Sequence, residues 1–268
     1  MNRSAARDGT APRVGLESRQ ATVRGWKTHF LASAVPTRRS PEDVVPVVMV
    51  HGMVVSGRYM VPTAELLATR HPVYVPDLPG FGRSEGPERV PEVSGLAELL
   101  AGWMEAAGVY RAALLGNSFG CQIAAELAVR RPELVARLVL QGPTPDPRGR
   151  TAARLLLRWL RDAPRESPSQ GPIMLRDYRD AGPRRALDVF RRMLEDPIEE
   201  KLPRVLVPTL VVRGSRDPIV PQRWAEEAAD LLPHGRLVVV PGAAHTMNYS
   251  APAELARTVL PFLAGSDA

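Results

Sequence analysis

The chain has a single cysteine, Cys121, and almost no lysine, with only Lys27 and Lys201 among its 35 basic residues. One thiol excludes an intramolecular disulfide framework, and a reducing, cytoplasmic setting is the default expectation. The shortage of lysine leaves arginine to carry a formal net charge of +6. These arginines are scattered among acids. No lysine-rich tail, aromatic-interleaved basic strip or nucleic-acid motif is present, so a solvated basic surface is expected and no nucleic-acid partner. Long apolar runs are also missing. Met1 to Gly15 are polar, without a signal-peptide core, and no later run approaches the roughly 18 apolar residues of a membrane span, so neither export nor a membrane anchor is expected. What remains is an ordinary globular composition, 44% hydrophobic and 24% charged over 268 residues, enough for one large core.

Apolar runs and helical patterns divide the chain clearly. Residues 1–16 read as a disordered tail. Arg19 to Arg24 and Trp26 to Val35 alternate as two antiparallel strands turning near Gly25. The β-branched run Val44 to Val50 is too apolar for an edge and reads as a central strand. Helix (Met60 to Arg70), strand (Val73 to Pro76), helix (Val93 to Ala107), strand (Ala112 to Leu115), helix (Gln122 to Arg130) and strand (Arg137 to Gln141) follow. Strict alternation predicts an α/β fold with a mostly parallel sheet covered on both faces. Residues 146–203 break the rhythm, with helical patterns at Thr151 to Asp162 and Arg184 to Leu194 around the stretch Pro164 to Pro172, and read as a helical lid inserted into a core of residues 17–145 and 204–268. Strands at Thr209 to Arg213 and Leu237 to Val240 and helices at Trp224 to Leu232 and Ala253 to Phe262 complete the pattern.

The stretch Gly116-Asn117-Ser118-Phe119-Gly120 lies between a strand and a helix. Such a turn pushes a serine hydroxyl out at the sheet edge, and glycine two residues to either side lets the backbones pass. Serine is a weak nucleophile and needs a base oriented by an acid. His71 and His234 precede strands and sit at the wrong end of the sheet. His29 falls within a strand and reads as structural; His51 reads as a turn-stabilising side chain. His245, beyond the last strand, is the candidate base. Asp217, beyond the preceding strand, is the candidate acid, with Asp146 as the alternative, and Asp217 could instead only start a turn before Pro218. The N–H groups of Phe119 and Met53 are candidate oxyanion donors. Met53, Val54, Phe119, Val220 and Met247 are candidates for an apolar pocket wall. Cys121 reads as a buried thiol and Asp77 as a loop tie. On the lid, Arg154, Arg158 and Arg161 share one helical face opposite Leu155, Leu156, Trp159 and Leu160, as a solvated face or as a site for an anionic group.

In order along the chain, His51-Gly52, Asp77-Leu78-Pro79-Gly80-Phe81-Gly82-Arg83-Ser84, the Ser118 turn, Arg213 to Asp217 and the His245 loop resemble the α/β-hydrolase superfamily. The resemblance implies an eight-stranded sheet with a cap between the sixth and seventh strands and a Ser118, Asp217, His245 triad. Serine at position 118 separates the chain from the dehalogenases and epoxide hydrolases of similar layout, which use aspartate there. Asn117 resembles the carbon–carbon hydrolases, whereas Met53 to Gly57, Cys121 and Thr246 depart from them. Hydrolysis of a carboxylic ester, lactone or thioester of a small to medium hydrophobic substrate is the leading expectation. Carbon–carbon cleavage of a diketone-type substrate is the second, and a non-catalytic ligand-binding protein on the same fold the third. No metal or organic cofactor is implied, and the chain is expected as a monomer or homodimer.

Overall fold

A computed structural model describes residues 13–34 and 44–265. Strands β1, Leu16–Val23, and β2, Trp26–Ser33, form an antiparallel hairpin. Then come β3, Val47–Val50, and α1, Val61–Leu67. Next are β4, Val73–Pro76, and α2, Val93–Ala106, followed by β5, Ala112–Asn117, α3, Phe119–Arg130, and β6, Val135–Gln141. Three helices fill the insertion after β6: α4, Ala152–Asp162, α5, Gly171–Glu195, and α6, Ile198–Lys201. The core resumes with β7, Thr209–Gly214, α7, Gln222–Leu231, β8, Gly235–Val240, α8, Met247–Ser250, and α9, Pro252–Leu263.

These strands form one eight-stranded sheet in the order β1-β2-β4-β3-β5-β6-β7-β8. Strands β3 to β8 are parallel, and β2 joins β4 antiparallel. Successive side chains of a strand point to opposite faces, so a strand covered on both sides must be apolar throughout. That is why Val47 to Val50 is unbroken: Val48 and Val50 pack with Leu114, Leu138 and Val211 against α2, α3 and α7, while Val47 and Met49 pack with Leu115, Val139 and Val212 against α1 and α9. The chain leaves β3 to one side for β4 and returns on the other for β5. Such a reversal opens a crevice at the carboxyl ends of the strands, where ligands of parallel sheets bind.

Several boundaries differ from the sequence reading. Residues 1–12 of the expected tail lie outside the described residues, and Leu16 already belongs to β1. The strand expected from Val44 opens only at Val47, because Pro46 has no N–H to give to a ladder. Helix α5 takes in part of the expected loop before it: it starts at Gly171 with Pro172 in the first turn, where proline's missing N–H costs nothing. It is broken at Gly182, whose φ of 75° is followed by Pro183.

The lid helix also turns differently. Leu155 is buried and Arg158 is pinned, its Nη2 donating to Asp146 Oδ2 at 2.8 Å and its Nη1 to the Ile219 carbonyl at 3.2 Å. The expected leucine face is therefore split, with Leu156 and Leu160 56% and 64% exposed.

Asp77 ties the loop after β4 together. Its Oδ1 accepts from Gly57 N at 2.7 Å, and its Oδ2 from Arg83 N and His29 Nδ1, both at 2.9 Å. His29 also meets Ser18 Oγ through Nε2 at 2.9 Å. Replacing Asp77 by alanine strips one acceptor from three donors. Asp77→Ala is expected to lose about 3 kcal/mol or more of stability, seen as a lower urea midpoint with an unchanged slope.

Candidate active site

The sharp turn at Ser118 is forced by backbone crowding. A Cβ on Gly116 would lie 2.6 Å from the Gly120 carbonyl oxygen, and one on Gly120 would lie 2.3 Å from that of Val50. Only glycine fits at these two approaches. Between them Ser118 is held at φ 54°, ψ −119°, a conformation that side-chain-bearing residues avoid and that persists only where the surroundings enforce it. Its N–H donates to the Gln141 carbonyl at 3.0 Å, and its Oγ lies 3.4 Å from Thr144 Oγ1. Cys121 turns the other way. Its Sγ donates to the Gly116 carbonyl at 3.2 Å, and burial pushes its thiol pKa well up.

His245 and Asp217 meet at the ends of β8 and β7. His245 Nδ1 donates to Asp217 Oδ2 at 2.8 Å, with both side chains buried. Asp217 Oδ1 accepts from Ile219 N at 2.7 Å and Val220 N at 3.0 Å. Arg213 fixes this turn from behind, donating to the carbonyls of Val220 at 2.7 Å and Asp217 at 2.9 Å. Gln141 Nε2 donates to the His245 carbonyl at 2.7 Å and sets the position of that loop. The remaining ring nitrogen, Nε2, has no protein partner. The alternative acid, Asp146, is engaged elsewhere: its Oδ2 accepts from both Arg158 and Arg223.

The loop after β3 is braced from inside. His51 Nδ1 donates to the Gly52 carbonyl at 2.9 Å, and its Nε2 accepts from Leu78 N at 2.9 Å. This is a neutral imidazole serving the backbone, and burial lowers its pKa. Gly52 N donates to Tyr59 Oη at 2.7 Å, and Tyr59 Oη donates to Asn117 Oδ1 at 2.5 Å, linking the loop to the residue before Ser118. Val54 sits at φ 56°, a strained angle for a β-branched residue.

Above these loops lies a cavity of about 540 Å³ lined by Ser118, His245, Met53, Val55, Tyr59, Asn117, Trp159, Ile219 and Thr246, among others. The expected wall of Val54, Val220 and Met247 is corrected. All three are buried core side chains, and their chain neighbours Val55, Ile219 and Thr246 face the cavity instead. Phe119 likewise points its ring into the core. As the first residue of α3, its N–H has no acceptor within the helix. Met53 does line the cavity.

Residues 47–258 match the profile of the Alpha/beta hydrolase family. The chain belongs to that family. Among curated relatives of this α/β hydrolase is "Putative carbamate hydrolase RutD" of Pseudomonas savastanoi pv. phaseolicola (strain 1448A / Race 6), 27% identical over 246 residues that cover 82% of this chain and 94% of the relative. Among solved structures, a bacterial membrane phospholipase A superposes with a TM-score of 0.78 at 26% identity, covering 95% of this chain and 88% of the other. Est816, an N-acyl homoserine lactone degrading enzyme, superposes with a TM-score of 0.74 at 22% identity, over 91% and 100% of the two chains; at that identity the likeness concerns the fold.

The sequence reading of this hydrolase missed the acids that the cap sends to the site. Glu166 Oε1 accepts from Thr246 N at 2.6 Å, beside the histidine. Asp177 Oδ2 accepts from Ser56 N and Ser56 Oγ, both at 2.8 Å, and Asp177 also pairs with Arg58. Asp162 lines the cavity and is only 5% exposed. Burial is the main cause that pushes its carboxyl up to about 7; the charge of His245 opposes the rise, and Glu166 and Asp217 add to it. No local motif marks these residues, which are single carboxyls scattered through an arginine-rich segment. Nor does any motif mark Thr144 or Tyr59.

His245 feels Asp162 and Glu166 as well as Asp217. Burial pulls its imidazole down, but the charge and hydrogen bond of Asp217, with Asp162 and Glu166 behind, outweigh it and raise the value to about 9. Protonated His245 therefore adds stability below about pH 6.5 that is lost as pH rises towards 9, and the same rise frees Nε2 as a base. NMR titration of the His245 ring is expected to give an apparent value above that of free histidine. Asp162→Asn and Glu166→Gln should each move it down, and an unshifted wild-type value would contradict this electrostatic arrangement.

Proposed function

We propose that this α/β hydrolase cleaves a carboxylic ester, lactone or thioester of a small to medium apolar substrate through an acyl-enzyme on Ser118. The observation that carries the reading is the buried 2.8 Å bond from His245 Nδ1 to Asp217, which leaves Nε2 unpartnered on the wall of the cavity that Ser118 also lines. A histidine held by its far nitrogen presents the near one as a base. In the proposed reaction His245 Nε2 takes the hydroxyl proton as Ser118 Oγ attacks the carbonyl carbon. The Met53 and Phe119 amides hold the oxyanion. The imidazolium then protonates the leaving alcohol or thiol as its bond to carbon breaks. Water repeats the sequence on the acyl-enzyme, releasing the acid and restoring Ser118. Every proton is carried by His245 and returned.

The cavity wall supports an uncharged acyl group. Apart from Asp162, Glu166 and His245 it is lined by neutral side chains, and neither arginine nor lysine contributes among the described residues. A dianionic or carboxylate-bearing diketone would find no fixed cation there, which favours ester over carbon–carbon cleavage. The names of the phospholipase, the lactone-degrading enzyme and the carbamate hydrolase are also those of enzymes that transfer an acyl-type carbon to water.

Time-resolved release of p-nitrophenol from short and medium acyl esters tests the proposal. Wild type is expected to turn over with kcat/KM rising with pH as His245 deprotonates, and Ser118→Ala is expected to fall by about 10⁴-fold or more. An alanine variant within tenfold of wild type would remove Ser118 from the mechanism. A wild type silent on esters but active on a vinylogous diketone would transfer the site to carbon–carbon cleavage.

A further inference from the structure

Two carboxyls of the cap face the reacting end of the cavity with no arginine or lysine opposite them. Asp162, at the end of α4, and Glu166, four residues on, both line the cavity wall with His245. Asp162 Oδ1 and Glu166 Oε2 are buried with no donor from any other residue; the two carboxyls have only each other, sharing a proton when Asp162 is protonated, while the other Glu166 oxygen is fixed by Thr246 N. Buried carboxylate oxygens are costly to leave unpaired and are normally matched by donors or cations. Elsewhere this chain follows that rule: Asp146 has Arg158 and Arg223, Asp177 has Arg58 and the Ser56 donors, and Asp217 has His245 and two backbone N–H groups. Glu199 Oε2 is unpaired too, but its other oxygen meets Arg150; Asp162 and Glu166 have no arginine or lysine partner at all, although arginines are plentiful on α4. Arg158 turns to Asp146, and Arg154 to the Arg148 carbonyl.

Resting on the ester reading above, we propose that the Asp162–Glu166 pair is a substrate subsite for an ammonium group, so that the preferred substrates are esters carrying a cationic amine within a few bonds of the scissile carbonyl. The pair lies on the wall shared with His245, which sets the distance between amine and carbonyl. An ammonium donates up to three hydrogen bonds and can satisfy both unpartnered oxygens at once. The raised carboxyl of Asp162 belongs with this arrangement, since burial and the neighbouring acids oppose its ionisation and a cation that enters relieves both. The apolar remainder of the cavity, with Met53, Val55, Trp159 and Ile219, suits the hydrocarbon part of such a substrate.

Isosteric ester pairs read the subsite directly. Phenyl 3-aminopropanoate against phenyl butanoate places the charge on the acyl side. 2-(Dimethylamino)ethyl butanoate, protonated on nitrogen, against 3-methylbutyl butanoate places it on the leaving group. At about pH 8, wild type is expected to favour the cationic member of at least one pair by about tenfold or more in kcat/KM, the effect of one charge-assisted contact. In Asp162→Asn and in Glu166→Gln the ratio should collapse towards one. The ratio is the readout, because the neutral ester in the same variant corrects for any change in His245. No cationic preference in wild type for either pair, or a preference that survives in both variants, overturns the proposal. If no ester is turned over at all, the ester reading fails by itself. Calorimetric binding of butylammonium against butanol then decides the subsite separately: saturable binding of the ammonium alone, lost in Asp162→Asn, upholds it, and equal or absent binding rejects it.

Discussion

Three backbones meet at one point, and the site depends on that meeting. The carbonyl of Val50 at the end of β3 comes within 2.3 Å of where a Gly120 Cβ would stand, and a Cβ on Gly116 of β5 would lie 2.6 Å from the Gly120 carbonyl oxygen. Without side chains at these positions α3 can start immediately after β5, and the one residue between them must take the positive φ of Ser118. The strain there is met by the ladder on both sides and by the Ser118 N–H bond to Gln141. Gln141 in turn holds the His245 carbonyl. One strand end thus sets both the serine and the histidine loop, so their separation is a property of the sheet and not of flexible loops.

The cap adds a second constraint, carried by acids. Glu166 grips the N–H after His245, and Asp177 grips Ser56 in the loop that carries Met53. Both loops that frame the cavity are therefore anchored to the insertion, and a shift of α5 would be felt at the mouth of the site. The chain's net charge is a poor guide to this interior. Its arginines are spent on structure: Arg213 on backbone carbonyls, Arg158 and Arg223 on Asp146, Arg58 on Asp177. A protein with a formal charge of +6 consequently presents carboxyls and no arginine to its own cavity.

The alternation of apolar runs and helical faces made the sheet legible, because strands covered on both sides must be apolar at every position. Strand ends were legible too, which is why Ser118, Asp217 and His245 could be placed beyond β5, β7 and β8 from order alone. Side-chain direction within a loop was not. Hydrophobicity singled out Val54, Val220 and Met247 as cavity wall, but it does not say which of two adjacent loop residues reaches the cavity: Val55 and Ile219 are no less apolar than their neighbours, and they line it together with Thr246. On α4 the helical period was right and the rotation wrong. Leu155 and the Arg158 bond to Asp146 fix the inward face, and that pairing across the chain has no local signature. Asp162 was hidden for the same reason, since its importance lies in what it fails to meet.

The unpartnered carboxyls and the histidine form one electrostatic unit. Asp162, Glu166 and Asp217 together favour imidazolium and raise His245 to about 9. That state suits a proton donor and not a base, so the resting site is biased away from the first step. An ammonium group bound between Asp162 and Glu166 would cancel the two more distant charges and leave only Asp217, whose hydrogen bond orients the ring. His245 would then lose its proton more readily at the moment a substrate is in place. The same charges would return their benefit later, because the imidazolium formed during serine attack is still stabilised by Asp217 at 2.8 Å. Binding and base activation would be coupled through charge alone, with no movement of the sheet required.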